Sequence, residues 1–285
     1  EEDLSKLNFR SVGDIIQRGG TFLGTARCNE FKTPEGRAKA VEVLNKYKIE
    51  GLVVIGGDGS LRGARQLADL GVAVVGLPGT IDNDIWGTDF SFGFDTAVTI
   101  ATDAIDRLHS TASSHKRVMV IEVMGHKAGW IALYSGMAGG GDVILLPEIP
   151  YKLENIRETI MNRIKRGKPY SIVVVAEGIQ TDGNRRAAEF IAQEIERETG
   201  LETRETVLGY IQRGGSPTPF DRNLSTRMGG HATELIANGE YGRMITLVGS
   251  EISSIPLEEV AGKLKLVTEE HDLVVQGRRM GVCFG

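Results

Sequence analysis

The sequence has few cysteines, no long apolar run and no strong excess of charge, and each of these features excludes a class of protein. Its two cysteines, Cys28 and Cys283, are too few for a disulfide framework, so we expect a reducing, cytoplasmic location. No apolar run approaches the ~18 residues that span a bilayer, and the first residues, EEDLSK, are too acidic for a secretory leader. The formal net charge of −5 provides no field that favours nucleic acid or an anionic membrane. We therefore expect a globular protein with neither nucleic acid nor a membrane as its partner.

Apolar runs alternate with amphipathic stretches along nearly all 285 residues. The apolar, β-branched runs predict strands at 52–55, 72–77, 118–122, 143–146, 171–176, 205–208 and 244–248. The amphipathic stretches predict helices at 34–47, 61–70, 95–108, 128–138, 153–165, 185–198, 218–238 and 257–263. This alternation indicates mostly parallel α/β sheets with helices on both faces. Ligands of such sheets bind at the carboxyl ends of the strands.

The first acidic glycine loop is GGDGS, residues 56–60, which directly follows the apolar run LVVI. Glycine lets the backbone approach a phosphate closely, and a helix that begins there offers free N–H groups to an anion. Asp58 would add a carboxylate for Mg²⁺, which prefers oxygen ligands and keeps several waters. The alternative is an ordinary strand-to-helix turn with Ser60 as its N-cap. NAD kinases and lipid kinases carry a similar loop, so this loop alone indicates only a nucleotide and a metal.

The second acidic loop, PGTIDNDI at residues 78–85, is more specific. Thr80, Asp82 and Asp84 alternate, so their side chains point to one side if the loop is extended. One carboxylate could accept a proton from an attacking hydroxyl. A polar Asx-type turn is the alternative. If the strands before the two loops pair, they lie ~4.8 Å apart, and Asp58 and Asp82 would face one crevice.

Four further residues are candidates for binding an anionic sugar. Arg117, Arg204 and Arg213 are candidate phosphate ligands because a guanidinium stays charged and can bind phosphate through two hydrogen bonds. Surface solvation is the alternative for any one of them, although Arg213 precedes a glycine-rich stretch typical of an anion site. Glu177 follows the apolar run SIVVVA, where it could accept hydrogen bonds from sugar hydroxyls or could merely precede a helix.

These segments together resemble the ATP-dependent 6-phosphofructokinases of bacterial type. The resemblance rests on RGGTFLGTARCNEF, VVIGGDGS, PGTIDNDI, SSHKR, IEVMG, AEG, ETR and YIQRGGSPTPFDR, which occur in family order along essentially the whole chain. It implies two Rossmann-like three-layer α/β/α domains with mostly parallel sheets and the active site in the cleft between them. It assigns residues 1–93 and 212–261 to an ATP-binding domain, and residues 94–211 and 262–285 to a domain that binds fructose 6-phosphate.

The resemblance also implies a role for each matching residue. Catalysis would rest on Asp82 as the base on the sugar's 1-hydroxyl, with help from Thr80, Asp84 and Arg27. Mg-ATP would be bound by Arg27, Cys28, Gly57, Asp58, Gly59 and Ser60, with Asp58 at the metal. Fructose 6-phosphate would be bound by Thr80, Ile81, Asp82, Arg117, Met124, Gly125, His126, Glu177, Arg204, Tyr210 and Arg213. In this family Arg117 and Arg204 reach in from a neighbouring subunit, which implies a homo-oligomer, usually a tetramer.

Some positions depart from the family pattern. Tyr210 and His126 stand where the family usually has histidine and arginine, and Tyr210 cannot carry the histidine's charge near neutral pH. An effector site for ADP or phosphoenolpyruvate would use Asp14, His109, Asp142, Arg166 and Lys168, but His109 and Phe9 replace arginines there. The resemblance predicts ATP rather than pyrophosphate as donor, because pyrophosphate-using relatives carry aspartate at the position of Gly59 and lysine at that of Gly79.

Nothing in this sequence matches the strand and GGDSPGMN-like loop with which family members begin. We therefore expect this chain, expressed alone, to be poorly stable and weakly active, since loss of a central strand exposes sheet edges. Two alternatives to the ATP-dependent kinase remain open at this point. They are a pyrophosphate-dependent transferase and a catalytically impaired or regulatory subunit, although a silent subunit has no physical need for Asp58, Asp82 and Asp84.

Overall fold

A computed structural model describes residues 4–183 and 185–285, and the first three residues of the EEDLSK segment lie outside these ranges. The chain forms two compact units. Unit 1 contains the residues up to Thr80, Ile85–Gly93 and Gly215–Leu264, and unit 2 contains Ile81–Asp84, Phe94–Gly214 and Lys265–Gly285. The predicted range 1–93 is therefore interrupted. Ile81–Asp84 joins unit 2, where the Asp84 carbonyl accepts a hydrogen bond from the Lys265 N–H at 2.8 Å.

Unit 1 contains a mainly parallel sheet. Its strands are β1 (Leu52–Gly56), β2 (Val74–Thr80), β3 (Phe92–Gly93), β8 (Arg243–Val248) and β9 (Glu251–Pro256). The spatial order is β1-β2-β8-β9, with β3 beside the end of β2, and only β9 is antiparallel to its neighbour. The helices of this unit are α1 (Pro34–Lys46), α2 (Asp58–Asp69), α7 (Pro219–Ala237) and α8 (Leu257–Val260), preceded by a 3₁₀ turn at Glu30–Lys32.

The core of unit 1 lies on both faces of this sheet. Val74 packs with Leu61 and Leu67 of α2, whereas the next residue, Val75, packs with Leu224 and Met228 of α7. Successive residues of a strand point to opposite faces, so α2 and α7 cover the two faces of β2. Continuous apolar runs are typical of strands that are buried in this way.

Unit 2 contains a wholly parallel sheet of β4 (Val118–Val123), β5 (Val143–Leu145), β6 (Ser171–Ala176) and β7 (Thr203–Val207). The order is β5-β6-β4-β7. Every residue of β4 and β6 is buried, as expected for central strands covered by helices on both faces. The helices of this unit are α3 (Phe94–His115), α4 (Trp130–Ala138), α5 (Leu153–Lys165), α6 (Ala187–Thr199) and α9 (Asp272–Met280), with a 3₁₀ turn at Gly209–Arg213.

The predicted α/β class with mostly parallel sheets is confirmed, and β6 and α5 have the predicted bounds. Three elements, β3, the antiparallel β9 and α9, were not predicted from the sequence. The helix α2, predicted to start at residue 61, begins at Asp58 with Gly57 as its N-cap, so Ser60 is not the cap. None of the helices in the described ranges is both long and apolar enough to cross a membrane.

Candidate active site

In unit 1 the GGDGS loop joins β1 directly to α2. A Cβ atom at Gly56 would lie 2.5 Å from Ser60 Oγ, so this position requires glycine. A Cβ at Gly57 would lie 3.5 Å from Thr80 Cβ. Gly56 pairs with Pro78 across β1 and β2, which confirms the predicted parallel pairing. The loop, the amino terminus of α2 and Thr80 therefore share one edge of the sheet.

Asp58 is the first residue of α2, where a carboxylate interacts favourably with the helix dipole. Its Oδ1 accepts the Gly262 N–H at 3.1 Å, and its Oδ2 lies 3.0 Å from the Arg62 guanidinium. Within the described residues no three His, Cys, Asp or Glu side chains cluster as metal ligands. A single carboxylate fits Mg²⁺ in a nucleotide complex, because phosphate oxygens and waters complete its octahedral shell.

The two glycines linked to donor choice lie in different surroundings. Nothing lies within 4 Å of a Cβ atom placed on Gly59, so this position opens onto free space. A Cβ on Gly79 would lie 2.9 Å from both Ile55 Cγ2 and Phe92 Cε2. Packing therefore explains why residue 79 is glycine. Packing does not restrict residue 59, so Gly59 is the position that bears on the choice of phosphoryl donor.

The residues predicted to flank ATP from the amino-terminal side, Arg27 and Cys28, are exposed and precede the Glu30–Lys32 turn. This segment is attached to α2 through Phe31, whose Cε1 would lie 3.1 Å from a Cβ on Gly63. Asp14, one of the predicted effector residues, lies in the same exposed segment with a φ of 54°. Phe31 therefore connects this segment to α2.

In unit 2 Asp82 lies in a buried acidic turn. Its neighbours Asn83 and Asp84 are 1% and 5% exposed, and Asn83 has a φ of 53°. Burial, and next the charge of Asp84, raise the pKa of Asp82 to about 6, against the opposing effect of Arg213. Glu177 and His126 also act on this carboxyl. The structure thus brings Asp82 within electrostatic range of Asp84 and of three predicted sugar-binding residues.

The turn Met124–Gly125–His126 follows β4 and is held by Glu177. Glu177 Oε1 accepts the N–H of His126 at 2.8 Å and that of Gly125 at 3.3 Å. The backbone of the turn is left-handed, with φ 142° at Gly125 and 54° at His126. A Cβ at Gly125 would lie 2.4 Å from the Ala128 carbonyl oxygen, so glycine is needed there. The carboxyl ends of β4 and β6 therefore carry Glu177 and the turn as one hydrogen-bonded assembly.

Tyr210 and Arg213 lie together on the 3₁₀ turn that follows β7. The Arg213 guanidinium lies 5.5 Å from the centroid of the Tyr210 ring, within cation–π range. The phenol is 79% exposed, so it can reach a solvated ligand. The Tyr210 ring therefore packs against the Arg213 guanidinium.

Arg117 and Arg204 lie at the opposite, amino ends of β4 and β7. Arg117 precedes β4, and Thr203 pairs with Val118. Both guanidiniums are ion-paired with Glu202, and Arg117 Nε lies 2.6 Å from Glu202 Oε2. Glu202 was not among the predicted site residues, although it is the first residue of the ETR motif. The two arginines form one cluster, separate from the turn at Met124.

Two of the predicted effector residues of unit 2, Asp142 and Arg166, line a cavity of about 310 Å³ together with Arg163. Asp142 Oδ1 lies 2.7 Å from the Arg163 guanidinium, and its Oδ2 accepts the Ile172 N–H at 3.0 Å. Burial raises the pKa of Asp142 in spite of these partners. Nearby, the His109 Nε2 lies 2.7 Å from the Gly139 carbonyl oxygen. Lys168 is exposed and does not line the cavity, and the sequence analysis missed Arg163.

Known proteins resemble this chain along most of its length. The family model described as phosphofructokinase matches residues 1–236. An ATP-dependent 6-phosphofructokinase 3 from Bacteroides thetaiotaomicron is 69% identical over the whole chain and 86% of its own length. An ATP-dependent 6-phosphofructokinase from Spirochaeta thermophila is 50% identical over the whole chain and 85% of its own length.

Two solved structures extend this likeness to the fold. Pichia pastoris phosphofructokinase in the T-state has a TM-score of 0.84 and 34% identity over 90% of this chain and 30% of its own. A pyrophosphate-dependent phosphofructokinase from Marinobacter aquaeolei has a TM-score of 0.83 and 25% identity over 98% of this chain and 74% of its own. The fold is of the mostly parallel α/β class, with a glycine-rich loop between β1 and α2 and an acidic turn after β2. The chain belongs to the phosphofructokinase family.

Proposed function

We propose that this chain transfers the γ-phosphoryl group of ATP to the 1-hydroxyl of fructose 6-phosphate, giving ADP and fructose 1,6-bisphosphate in the committed step of glycolysis. The observation that carries the proposal is the half-buried Asp82, two residues along the chain from Thr80. Thr80 in turn lies against the phosphate-binding loop at Gly57. Relatives at 69% and 50% identity are named for this reaction.

Unit 1 is the ATP-binding part in this proposal. The amino terminus of α2 and the glycines at 57 and 59 would bind phosphate oxygens through backbone N–H groups. Asp58 would hold Mg²⁺, which neutralises phosphate charge when bound. Arg27 and Cys28 would flank the nucleotide from the exposed amino-terminal segment. Arg62 is ion-paired with Asp58 and so partly neutralises the carboxylate at this end of the helix.

Unit 2 is the sugar-phosphate part. Asp82 would accept the proton of the 1-hydroxyl while that oxygen forms its bond to the γ-phosphorus, and the bond to the bridging oxygen of ADP breaks. A pKa of about 6 leaves Asp82 mostly ionised at neutral pH yet still basic enough to take the proton. Glu177 and the Met124–His126 turn would bind sugar hydroxyls. Arg213, oriented by Tyr210, would bind the 6-phosphate.

ATP is the proposed donor rather than pyrophosphate. The open space at Gly59 supports this choice, because an aspartate there would set a carboxylate against the ATP α-phosphate. The names of the two relatives agree with it. A donor-swap assay tests it, since turnover with pyrophosphate and none with ATP would refute the proposed donor while leaving the acceptor unchanged.

A complete sugar-phosphate site requires a second subunit. Met124 lies seven positions beyond Arg117 along β4, which corresponds to ~23 Å at the rise of a strand. A hexose phosphate is much shorter than that, so one molecule cannot contact both ends of β4 in one chain. Arg117 and Arg204 would therefore complete the site of a neighbouring copy in a homo-oligomer, and the family suggests a tetramer.

Mixing two inactive variants tests this sharing. Asp82→Asn and Arg204→Ala chains, each weak alone, should regain activity when they are unfolded and refolded together. A hybrid then contains sites that combine an intact Asp82 from one chain with an intact Arg204 from another. Refolding either variant with itself is the control. Absence of recovery in verified hybrids would show that Arg204 acts within its own chain.

The cavity beside Asp142 is the proposed effector site. Arg163 and Arg166 offer guanidinium groups to the phosphate of ADP or phosphoenolpyruvate. Lys168 follows two residues after Arg166, and His109 lies against the Gly139 carbonyl oxygen in the same unit. Two free cysteines, Cys28 and Cys283, are compatible with the reducing cytoplasm as the site of action.

An ADP-release assay tests the proposed reaction as a whole. ADP formation should require both ATP and fructose 6-phosphate, and product analysis should place the new phosphate on the 1-hydroxyl. Purified chain that binds fructose 6-phosphate but forms no product would instead favour the regulatory alternative. Chain that neither binds nor phosphorylates it would refute the proposed function.

A further inference from the structure

A buried glutamine connects two parts of the proposed sugar-phosphate site in unit 2. Gln212 is 1% exposed and lies in the 3₁₀ turn Gly209–Arg213, directly before Arg213. Its Oε1 accepts the N–H of Met124 at 2.9 Å, across 88 residues of sequence. Among the described residues its Nε2 is buried without a hydrogen-bond partner.

The unpaired Nε2 indicates which end of the Gln212 amide has a structural role. An N–H donor can only be satisfied by the carbonyl end of the amide, so the Met124 N–H sets the orientation of the side chain. That orientation leaves a buried donor unsatisfied, which is costly, whereas an apolar side chain of similar size would avoid that cost. The amide is therefore explained by its acceptor, and the acceptor serves Met124.

Met124 begins a turn that needs such support. The next two residues have left-handed backbone angles, and for His126 this conformation is unfavourable because it carries a Cβ. The N–H groups of Gly125 and His126 are held by Glu177, and that of Met124 by Gln212. Three consecutive N–H groups thus find side-chain acceptors, one of them on the turn that carries Arg213 and Tyr210.

We propose that Gln212 is a positioning residue for fructose 6-phosphate, which fixes the Met124–His126 turn relative to Arg213. The inference rests on the proposed function, because it concerns the same sugar-phosphate site. Gln212 does not itself contact the ligand. It holds the backbone that would face the sugar at a set distance from the guanidinium that would bind the 6-phosphate.

The test compares Gln212→Met, Gln212→Glu and the matched control Gln276→Met, which makes the same substitution on α9 where Gln276 bonds Asp272. Fructose 6-phosphate and ATP affinities are measured by calorimetry, and KM and kcat by ADP release. Gln212→Met should raise the Kd and KM for fructose 6-phosphate about tenfold, the equivalent of one lost hydrogen bond. The KM for ATP should stay within about twofold, as should every parameter of Gln276→Met.

The conservative variant distinguishes positioning from general stability. A buried carboxyl stays protonated because burial raises its pKa, so Gln212→Glu keeps an acceptor for Met124 and should recover most of the affinity. If Gln212→Met fails to fold, Gln212→Asn replaces it, since its shorter amide cannot reach Met124, and the same shift is expected. Unchanged fructose 6-phosphate affinity, or equal loss for both ligands without rescue by Gln212→Glu, would overturn the inference. Wild-type chain that does not bind fructose 6-phosphate would instead overturn the proposed function.

Discussion

Replacement of Asp82 by asparagine should lower activity and raise stability at the same time. Asparagine has nearly the same shape but cannot accept the proton of the 1-hydroxyl, so kcat should fall by roughly 10²–10⁴. Binding of fructose 6-phosphate should change little, because the side chain still offers an oxygen to the hydroxyl. The opposite effect on stability follows from the raised pKa of this buried carboxyl.

The magnitude of the stability gain depends on pH. The pKa of Asp82 rises from 3.8 to about 6 on folding, so between these values the folded state binds more protons than the unfolded state. Its stability therefore falls as pH rises through this window. At ~1.36 kcal/mol per pKa unit, the raised pKa of Asp82 lowers the free energy of unfolding by about 3 kcal/mol at pH 8 and about 1.6 kcal/mol at pH 5. Asparagine should recover about these amounts.

Urea denaturation at pH 5 and pH 8, together with the ADP-release assay, measures both effects. Asp103→Asn is the matched control, since Asp103 is exposed on α3 in the same unit and pairs with Arg107 at the surface. This control should change the free energy of unfolding by no more than about 0.5 kcal/mol. Undiminished kcat in Asp82→Asn would refute its role as base. A stability gain that is equal at the two pH values would refute the raised pKa.

Three further predictions concern other parts of the chain. Gly59→Asp should fold normally, because the new side chain meets open space. It should lower kcat/KM for ATP by about 10²–10³, since the new carboxylate and an ATP phosphate ~4 Å apart near a surface would repel by ~4 kcal/mol. Gly59→Ala, measured in the same assay, should change kcat/KM only a few-fold. Gly56→Ala should lower the free energy of unfolding by about 1–3 kcal/mol in urea denaturation, because the added Cβ would lie 2.5 Å from Ser60 Oγ. Gly230→Ala on α7 is the control, since the added Cβ there meets open space. Gly71 would be a poor control because its φ of 86° disfavours alanine. Arg163→Gln should destabilise the chain by about 1–3 kcal/mol by leaving the Asp142 carboxylate unpaired, and the double variant with Asp142→Asn should regain much of this loss; additive losses would contradict the pairing.

The central strands and the glycine loops were predictable from the sequence because each has a local cause. β4 and β6 are apolar at nearly every position since both of their faces are buried. The GGDGS loop needs Gly56 because the chain turns directly into α2. In contrast, β9 carries two serines in the sequence EISSIP and pairs antiparallel at the sheet edge. Such a segment has no strong apolar pattern, so its strand depends on the neighbouring β8.

The missed residues of the site share a different cause. Gln212, Glu202 and Arg163 are polar side chains whose roles depend on partners distant in the sequence. No periodicity predicts that Gln212 will meet Met124, because the contact exists only after β4 and β7 pair in register. Residues whose chemistry is intrinsic, such as Asp82 between Thr80 and Asp84, could be identified without that knowledge.

Pairing also changes how the charged residues have to be interpreted. Arg117 and Arg204 look like two independent phosphate ligands in the sequence, but Glu202 holds both guanidiniums in one cluster. A ligand phosphate at this cluster must therefore compete with a carboxylate that is already in place, and its binding free energy is the difference between the two interactions. The same reasoning applies to Asp142, which is already ion-paired with Arg163 in the absence of an effector. Affinity at either cluster thus depends on the acidic partner as much as on the arginines, so a substitution of Glu202 should alter phosphate binding although Glu202 itself repels the ligand.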